Sequence, residues 1–132
     1  MRCGVLLVTH PGLGNALLDV ARHLLGPAPL PLDCRCLEVG YDQAPGTLVA
    51  SALAEVQAMD AQGGLLLLTD LYGASPSNLA SFLQDRQRHC RRVAGLNLPM
   101  LLRVMNYPHL ELDALTDVAA SLPRHGVIVD NA

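Results

Sequence analysis

The fold of this 132-residue chain is decided by its first apolar segment, CGVLLVTHPG at positions 3–12. Residues 3–8 form a continuous run of small and aliphatic side chains, which stops before the turn residues His10, Pro11 and Gly12. A short run without polar alternation is typical of a strand that is buried on both faces. Strands of this kind occur in parallel sheets that are covered by helices, so the segment predicts an α/β fold.

The rest of the chain continues with alternating strand and helix signals. Apolar runs predict further strands, and apolar residues spaced three or four apart predict helices. The predicted strands cover residues 3–8, 34–39, 65–69, 93–96 and 126–129, and the predicted helices cover 13–24, 47–59, 75–92, 98–105 and 111–122. This alternation predicts one domain, residues 1–132, built on an open, mostly parallel, doubly wound sheet with helices on both faces. The last strand is expected at the edge of the sheet.

The composition excludes several classes of protein. Hydrophobic residues make up 51% of the chain and charged residues 16%, which is typical of a folded globular protein and not of a disordered one. The formal net charge of −3 argues against general nucleic-acid binding, which requires a basic surface. The longest aliphatic runs, residues 5–8 and 65–68, are too short for a membrane span.

The four cysteines fit reduced thiols better than a disulfide framework, because the chain is long enough to build its own core. Cys34 and Cys36 are two residues apart, on one face of the second predicted strand. No second pair of cysteines or histidines follows at zinc-finger spacing, so buried small side chains are favoured over a metal site. No signal peptide is recognisable before the first strand, and a cytoplasmic location is therefore expected.

Two residues that bear reactive side chains, His10 and Asp70, each follow directly after a buried strand. If the first and third strands are neighbours in a 2-1-3-4 order, both side chains lie at the same rim, where open α/β sheets bind ligands. For His10 the alternatives are a loop histidine that bonds to the backbone, and a nucleophile, acid, base or metal ligand. For Asp70 the alternatives are a carboxylate that closes its own turn, and an acceptor that fixes one tautomer of His10.

A predicted helix start follows Asp70, within the segment LYGASPSN at residues 71–78. Ser75 and Pro76 fit a capping hydroxyl followed by proline at the first helical position. Gly73 permits a close backbone approach, and Ser75 together with the first N–H groups of the helix predicts an anion cradle. Capping alone would also account for Ser75. A neutral histidine, an orienting carboxylate and an anion cradle together, however, are the parts of a phosphohistidine site.

Three segments of the chain together resemble a known protein family. They are VTH at residues 8–10, TDLYGASPSN at residues 69–78 and AGLNLPML at residues 94–101. In this order, and in a chain of this length, they resemble the IIA component of the mannose-family bacterial phosphotransferase system. The sequence departs from the family in two places, because the family usually has Gly where Pro11 stands and a Gly-Gly pair at residues 73–74.

The resemblance implies that His10 accepts a phosphoryl group from the histidine phosphocarrier protein and passes it to a IIB partner, without a cofactor. It implies that Asp70 bonds the other ring nitrogen of His10 and that Ser75 lies near the phosphate. It also implies a homodimer in which residues 126–129 pair with the neighbouring subunit's sheet, with membrane contact only through partner subunits. Two alternatives remain: a regulatory module that is controlled by phosphorylation of His10, and a small-molecule enzyme that uses the two residues as acid and base.

Overall fold

The computed structural model describes residues 1–86, 89–121 and 126–130. Over these residues strands and helices alternate as the sequence predicts, so the α/β fold class is confirmed. The elements in chain order are β1 (Gly4–Thr9), α1 (Gly14–Leu25), β2 (Cys34–Glu38), α2 (Pro45–Ala58), β3 (Leu65–Thr69), α3 (Ser75–Arg86), β4 (Cys90–Ala94), α4 (Leu98–Met105) and α5 (Leu112–Ala120).

The strands of the described chain form one parallel sheet in the order β2-β1-β3-β4. β1 is an inner strand, in which Val5 pairs with Cys34 of β2 on one side and with Leu66 of β3 on the other. The first and third strands are therefore neighbours, and the predicted 2-1-3-4 order is confirmed. In such a sheet the carboxyl ends of β1, β2 and β3 lie at one rim, next to the reversal of strand order.

Helices cover both faces of this sheet. Val5 and Leu7 of β1 belong to a buried cluster that includes residues of α1, α4 and α5. Leu6 and Val8 belong to a second cluster, which includes residues of α2 and α3. Because successive side chains of a strand point to opposite faces, a strand covered on both faces is apolar at every position. The uninterrupted run in β1 is a direct consequence of this double cover.

The carboxyl ends of β1 and β3 are held by hydrogen bonds from the loops that follow the two outer strands. The N–H of Val39, just after β2, donates to the carbonyl of Thr9 at 2.8 Å. The N–H of Leu96, just after β4, donates to the carbonyl of Thr69 at 2.8 Å. The sheet and its adjoining loops therefore position His10 and Asp70, which follow Thr9 and Thr69.

β4 begins three residues before, and ends two residues before, the predicted strand at 93–96. Cys90 and Val93 are buried, whereas Arg91 is exposed, so the first half of this edge strand lacks an apolar run. The apolar pattern alone therefore located only its end. The strand stops before Gly95, whose φ of +94° lies in a region that glycine adopts without strain.

The predicted helices are present, but the predicted end of the third helix at residue 92 is wrong, because α3 spans Ser75–Arg86 and residues 90–92 belong to β4. The other helices shift only slightly at their ends. α2 begins at Pro45 and not at residue 47. The first N–H groups of a helix have no partner within it, so proline, which has no N–H, is favoured at the first helical position. α5 spans Leu112–Ala120, and residue 122, where the prediction ended, lies outside the described residues. No helix within the described ranges combines the length and the hydrophobicity that crossing a bilayer requires.

Residues 126–129 do not form a strand in the single chain, so this prediction is wrong for the chain by itself. The side chains of Val127, Ile128 and Val129 are between 68% and 79% exposed. Gly126 lies against the ring of Pro99 at the start of α4. A strand requires a hydrogen-bonded neighbour, and the described part of this chain pairs none with this segment.

The first residue of α1 lies against the end of β1. A Cβ placed on Gly14 would collide with the Cys36 sulfur and lie 2.8 Å from Thr9 Oγ1. The N–H of Gly14 donates to that hydroxyl at 2.9 Å, and the hydroxyl donates to the His10 carbonyl at 2.9 Å. The close approach of Gly14 therefore joins α1 to the residue that follows β1.

This contact predicts an unusual response to a Gly14→Ala substitution. In an open helical position the change from glycine to alanine stabilises by about 0.5–1 kcal/mol, whereas overpacking a close contact costs about 1–3 kcal/mol. We expect Gly14→Ala to lower the free energy of unfolding, measured by urea denaturation. The control is Gly46→Ala in α2, where no atom of the described chain outside the adjacent helix backbone lies within 4 Å of the added Cβ. Equal changes in the two variants would contradict the close approach.

Candidate functional site

His10 and Asp70, which are sixty positions apart in the sequence, are in direct contact at the rim of the sheet. His10 Nδ1 lies 2.7 Å from Asp70 Oδ2, and the backbone N–H of His10 donates to the same oxygen at 2.9 Å. The other carboxylate oxygen, Oδ1, accepts a hydrogen bond from the N–H of Leu71 at 3.0 Å. Asp70 therefore closes its own turn and also holds the histidine, so the two interpretations of this residue are compatible.

The contact determines which nitrogen of His10 is available. A carboxylate accepts hydrogen bonds, so Nδ1 carries the proton and Nε2 carries the lone pair in the neutral ring. Within the described residues no hydrogen bond engages Nε2. The His10 side chain is 29% exposed and that of Asp70 is 10% exposed. The arrangement thus presents an unprotonated ring nitrogen at the surface while the carboxylate behind it is nearly buried.

The carboxyl group of Asp70 is kept ionised by its partners. Burial alone would raise its pKa, but the hydrogen bonds from the backbone and ring of His10 favour the charged form and lower the pKa below its ordinary value. A carboxylate in this state stabilises positive charge on the adjacent imidazole.

The loop after Asp70 turns back on itself before α3 begins. The N–H of Ala74 donates to the carbonyl of Leu71 at 3.4 Å, and Gly73 has a φ of +82°. Among the described residues, apart from its chain neighbours, no heavy atom lies within 4 Å of a Cβ built on Gly73, so it is the backbone conformation that requires glycine here. The space above Gly73 is open.

Ser75 is the first residue of α3 and not the residue that caps it. The carbonyl of Ala74 accepts the N–H of Asn78 at 3.0 Å, which places Ala74 at the cap position and Ser75 inside the first turn. The predicted capping role of Ser75 is therefore wrong. Its side chain is exposed, and no hydrogen bond of its hydroxyl is found within the described residues. The hydroxyl and the first N–H groups of α3 are available to an external acceptor.

Tyr41, which the sequence interpretation did not single out, lies beside His10. Its ring centroid is 6.3 Å from that of His10, with an interplanar angle of 38°. Tyr41 stands in the loop between β2 and α2, close to the carboxyl end of β2. The rule that places ligands beyond the carboxyl ends of strands next to a reversal of strand order could have indicated this loop.

A groove of about 390 Å³ adjoins the site between α2, α3 and the loop before α2. Tyr41 and Ser75 both line it, together with apolar side chains that include Leu48 and Leu79. Other apolar side chains near the rim, among them Leu71 and the tyrosine that follows it, are exposed to solvent. The groove beside Tyr41 and Ser75 is thus lined largely by apolar side chains.

The cysteines are buried, or half-buried in the case of Cys36. Burial raises the pKa of the Cys34 and Cys36 thiols to about 12 and that of Cys90 to about 11. Protonated thiols are poor metal ligands and poor nucleophiles at neutral pH. Within the described ranges no three His, Cys, Asp or Glu side chains are grouped so that they could hold a metal ion.

Comparisons with known proteins agree on one family. The family model described as "PTS system fructose IIA component" matches residues 4–121. The "PTS system mannose-specific EIIAB component" of Escherichia coli strain K12 is 31% identical over 134 residues, which cover 96% of this chain and 39% of that protein. The chain therefore spans about two fifths of the length of this relative.

Solved structures show the same fold at lower identity. The mannose/sorbose-specific IIA subunit from Enterococcus faecalis matches with a TM-score of 0.83 at 22% identity, covering 100% of this chain and 97% of the other. The PTS IIA protein associated with the fucose utilization operon from Streptococcus pneumoniae matches with a TM-score of 0.75 at 21% identity, covering 92% and 90%. At these identities the likeness establishes the fold alone.

The hydrogen bonds of Asp70 predict a defined pH dependence of stability. The folded-state pKa of Asp70 is below the unfolded value of about 3.9, so its contribution is present above that pH and is lost as pH falls through the folded pKa. We therefore expect the difference in unfolding free energy between wild type and Asp70→Asn to shrink as the pH falls from 6 towards 3.

The matched control is Asp113→Asn, which removes an exposed carboxylate that is 3.0 Å from Arg91. A surface pair of this kind contributes little to stability. Urea denaturation at each pH measures all three proteins. A constant difference between wild type and Asp70→Asn across this range would contradict the lowered pKa.

Proposed function

Because the chain belongs to the family of PTS fructose IIA components, the mannose-type IIA components of the sugar phosphotransferase system, we propose that His10 carries a phosphoryl group between two proteins. The donor is the histidine phosphocarrier protein and the acceptor is a IIB partner. The observation that carries this proposal is the 2.7 Å contact between His10 Nδ1 and Asp70, because it leaves Nε2 as the nucleophile.

In the first transfer the Nε2 lone pair attacks the phosphorus of the donor's phosphohistidine. A new N–P bond forms as the donor's N–P bond breaks, and the released electron pair returns to the donor's imidazole. The proton on Nδ1 of His10 stays there, hydrogen-bonded to Asp70. In the second transfer a nucleophile of the IIB partner attacks the same phosphorus, and the electron pair of the N–P bond returns to Nε2. No cofactor is required.

Asp70 has two roles in this proposal. It keeps the proton on Nδ1, which holds the ring in the tautomer that can attack. Its charge also stabilises the positive charge that develops on the imidazole as Nε2 bonds to phosphorus. Its low pKa supports both roles, since the carboxylate stays ionised throughout the neutral range.

Gly73 and Ser75 are the proposed phosphate-binding residues. Phosphoryl transfer depends mainly on positioning and on stabilising negative charge. The open space above Gly73 leaves room for the phosphoryl oxygens, and the unengaged Ser75 hydroxyl can donate to one of them. The N-terminus of the twelve-residue helix α3 favours an anion at the same place.

The setting of the reaction is also part of the proposal. We propose that residues 1–132 act as one IIA domain in the cytoplasm, where the four free thiols would remain reduced. The exposed apolar side chains around His10 support docking of proteins, because an apolar patch rimmed by polar residues is typical of interaction surfaces.

The proposal predicts where phosphate is incorporated. On incubation with phosphoenolpyruvate, enzyme I and the histidine phosphocarrier protein, we expect label on His10 that is lost in acid and retained in alkali, as for a phosphoramidate. His10→Ala should abolish labelling and still fold, because a half-exposed rim side chain contributes little to the core. The control is His23→Ala, which alters an exposed histidine of α1.

Two further measurements make this test decisive. Asp70→Asn should slow labelling by about 10²–10⁴-fold, the usual worth of an orienting or acid–base group. Adding a IIB partner should remove the label from wild-type protein; a label that persists would favour the regulatory alternative. Label on a residue other than His10, or a stable phosphoester, would refute the assignment.

We also propose that the chain forms a homodimer through residues 126–129. Three consecutive exposed β-branched side chains, Val127, Ile128 and Val129, are suited to pairing with a sheet edge. Exchange of an identical element between two copies closes a symmetric interface. Because Gly126 lies against Pro99 at the start of α4, which follows the rim, such an interface would lie near the active sites.

Light scattering at several concentrations tests the dimer. We expect a dimeric mass at micromolar concentration for the full chain and a monomeric mass for a chain truncated before Gly126. A full chain that is monomeric, or a truncated chain that remains dimeric, would contradict the proposed role of this segment.

A further inference from the structure

The residues that follow His10 offer few hydrogen-bond donors to a phosphoryl group on its ring. Pro11 has no N–H. The N–H of Leu13 donates to the carbonyl of His10 at 3.4 Å, and the N–H of Gly14 donates to Thr9 Oγ1 at 2.9 Å. Of the amides in residues 11–14, only that of Gly12 is unengaged within the described chain. Apart from the N–H of Gly12, donors to the anion must therefore come from other loops.

Tyr41 is placed to supply one of them. The loop that carries it is tied to β1 by the hydrogen bond from Val39 N–H to Thr9 O at 2.8 Å, directly before His10. The same loop is closed by the N–H of Gly40, which donates to Gln43 Oε1 at 2.8 Å. Tyr41 is thus held beside the histidine by its backbone, although its side chain is 80% exposed.

The strand order places Tyr41 and Asp70 on opposite flanks of His10, next to the two strands that neighbour β1. β1 lies between β2 and β3; Asp70 follows β3, and Tyr41 lies in the loop after β2. With Nδ1 held by Asp70, a phosphoryl group would be on Nε2. Tyr41 and Ser75 line the same groove.

The chemistry of the tyrosine side chain fits this position. The two ring centroids are 6.3 Å apart, and the phenol oxygen projects beyond its own ring, so the hydroxyl can reach oxygens attached to the neighbouring imidazole. Within the described residues the Tyr41 hydroxyl has no hydrogen bond, and exposure allows its ring to turn without breaking a packed contact. A neutral hydroxyl that donates to a phosphoryl oxygen forms a charge-assisted bond.

We propose that Tyr41 binds the phosphoryl group on His10 by donating a hydrogen bond from its phenol to a phosphoryl oxygen. The proton stays on the phenol oxygen, and no covalent bond of Tyr41 changes. This inference rests on the proposed phosphocarrier function and adds a binding residue to the site. This hydrogen bond makes the phosphorylated state more stable. It replaces the hydrogen bond that an N–H at position 11 would donate and that Pro11 cannot.

The test compares variants of the full chain in the equilibrium with the phosphorylated histidine phosphocarrier protein. Tyr41→Phe removes only the hydroxyl, and we expect it to lower the equilibrium constant for phosphorylation of His10 by about 3- to 10-fold, as for loss of one hydrogen bond. Tyr41→Leu should lower it to a similar degree. The control is Tyr107→Phe, a tyrosine beyond the end of α4, which should leave the constant unchanged.

A spectroscopic measurement separates hydrogen bonding from packing. The ³¹P resonance of the phosphohistidine should shift in Tyr41→Phe and not in Tyr107→Phe. If Tyr41→Phe matches the wild type in both measurements, whether or not Tyr41→Leu differs, the hydroxyl is not a donor and the inference is overturned. If wild-type protein takes no label on His10, the proposed function itself fails, which is a distinguishable result.

Discussion

A single carboxylate oxygen, Oδ2 of Asp70, accepts hydrogen bonds from both the backbone and the ring of His10, at 2.9 and 2.7 Å. The backbone bond fixes the position of the residue and the ring bond fixes its orientation and tautomer. Both depend on the parallel pairing of β1 with β3, which places Val8 opposite Thr69. This register brings together His10 and Asp70, the first residues after the two strands. Without that register Asp70 would not determine the position, orientation and tautomer of His10.

The same parts of the molecule serve the fold and the site. Thr9 is fully buried, and its hydroxyl connects the start of α1 to the carbonyl of His10. Gly14 permits this connection because no side chain separates α1 from β1 and Cys36. The carbonyl of Thr9 also accepts the hydrogen bond from the N–H of Val39, which anchors the loop carrying Tyr41. A change in the packing around Thr9 would therefore be transmitted to His10 and to the loop that carries Tyr41.

The candidate site combines a histidine, a carboxylate and neutral hydroxyl groups, and among the described residues no group of side chains could hold a metal ion. Asp70 supplies the only ionised side chain in direct contact with His10 among the described residues. Ser75 and Tyr41 carry neutral hydroxyls, and the surrounding side chains are largely apolar. In the function proposed above, neutral donors would hold a phosphoryl group less strongly than a cation does, which suits a group that is passed on.

The sequence by itself determined the inner strands and the points where they end, because a strand covered on both faces carries an unbroken apolar run. It offered the 2-1-3-4 order, which brings His10 and Asp70 to one rim, as a hypothesis, and the pairing of β1 with β2 and β3 decided it. It did not determine β4, since an edge strand with exposed Arg91 has no such run. Only the tertiary structure placed Ser75 inside the helix, showed residues 126–129 unpaired in the single chain and brought Tyr41 beside His10. These features depend on loop conformation and on contacts between distant segments, which local sequence patterns do not encode.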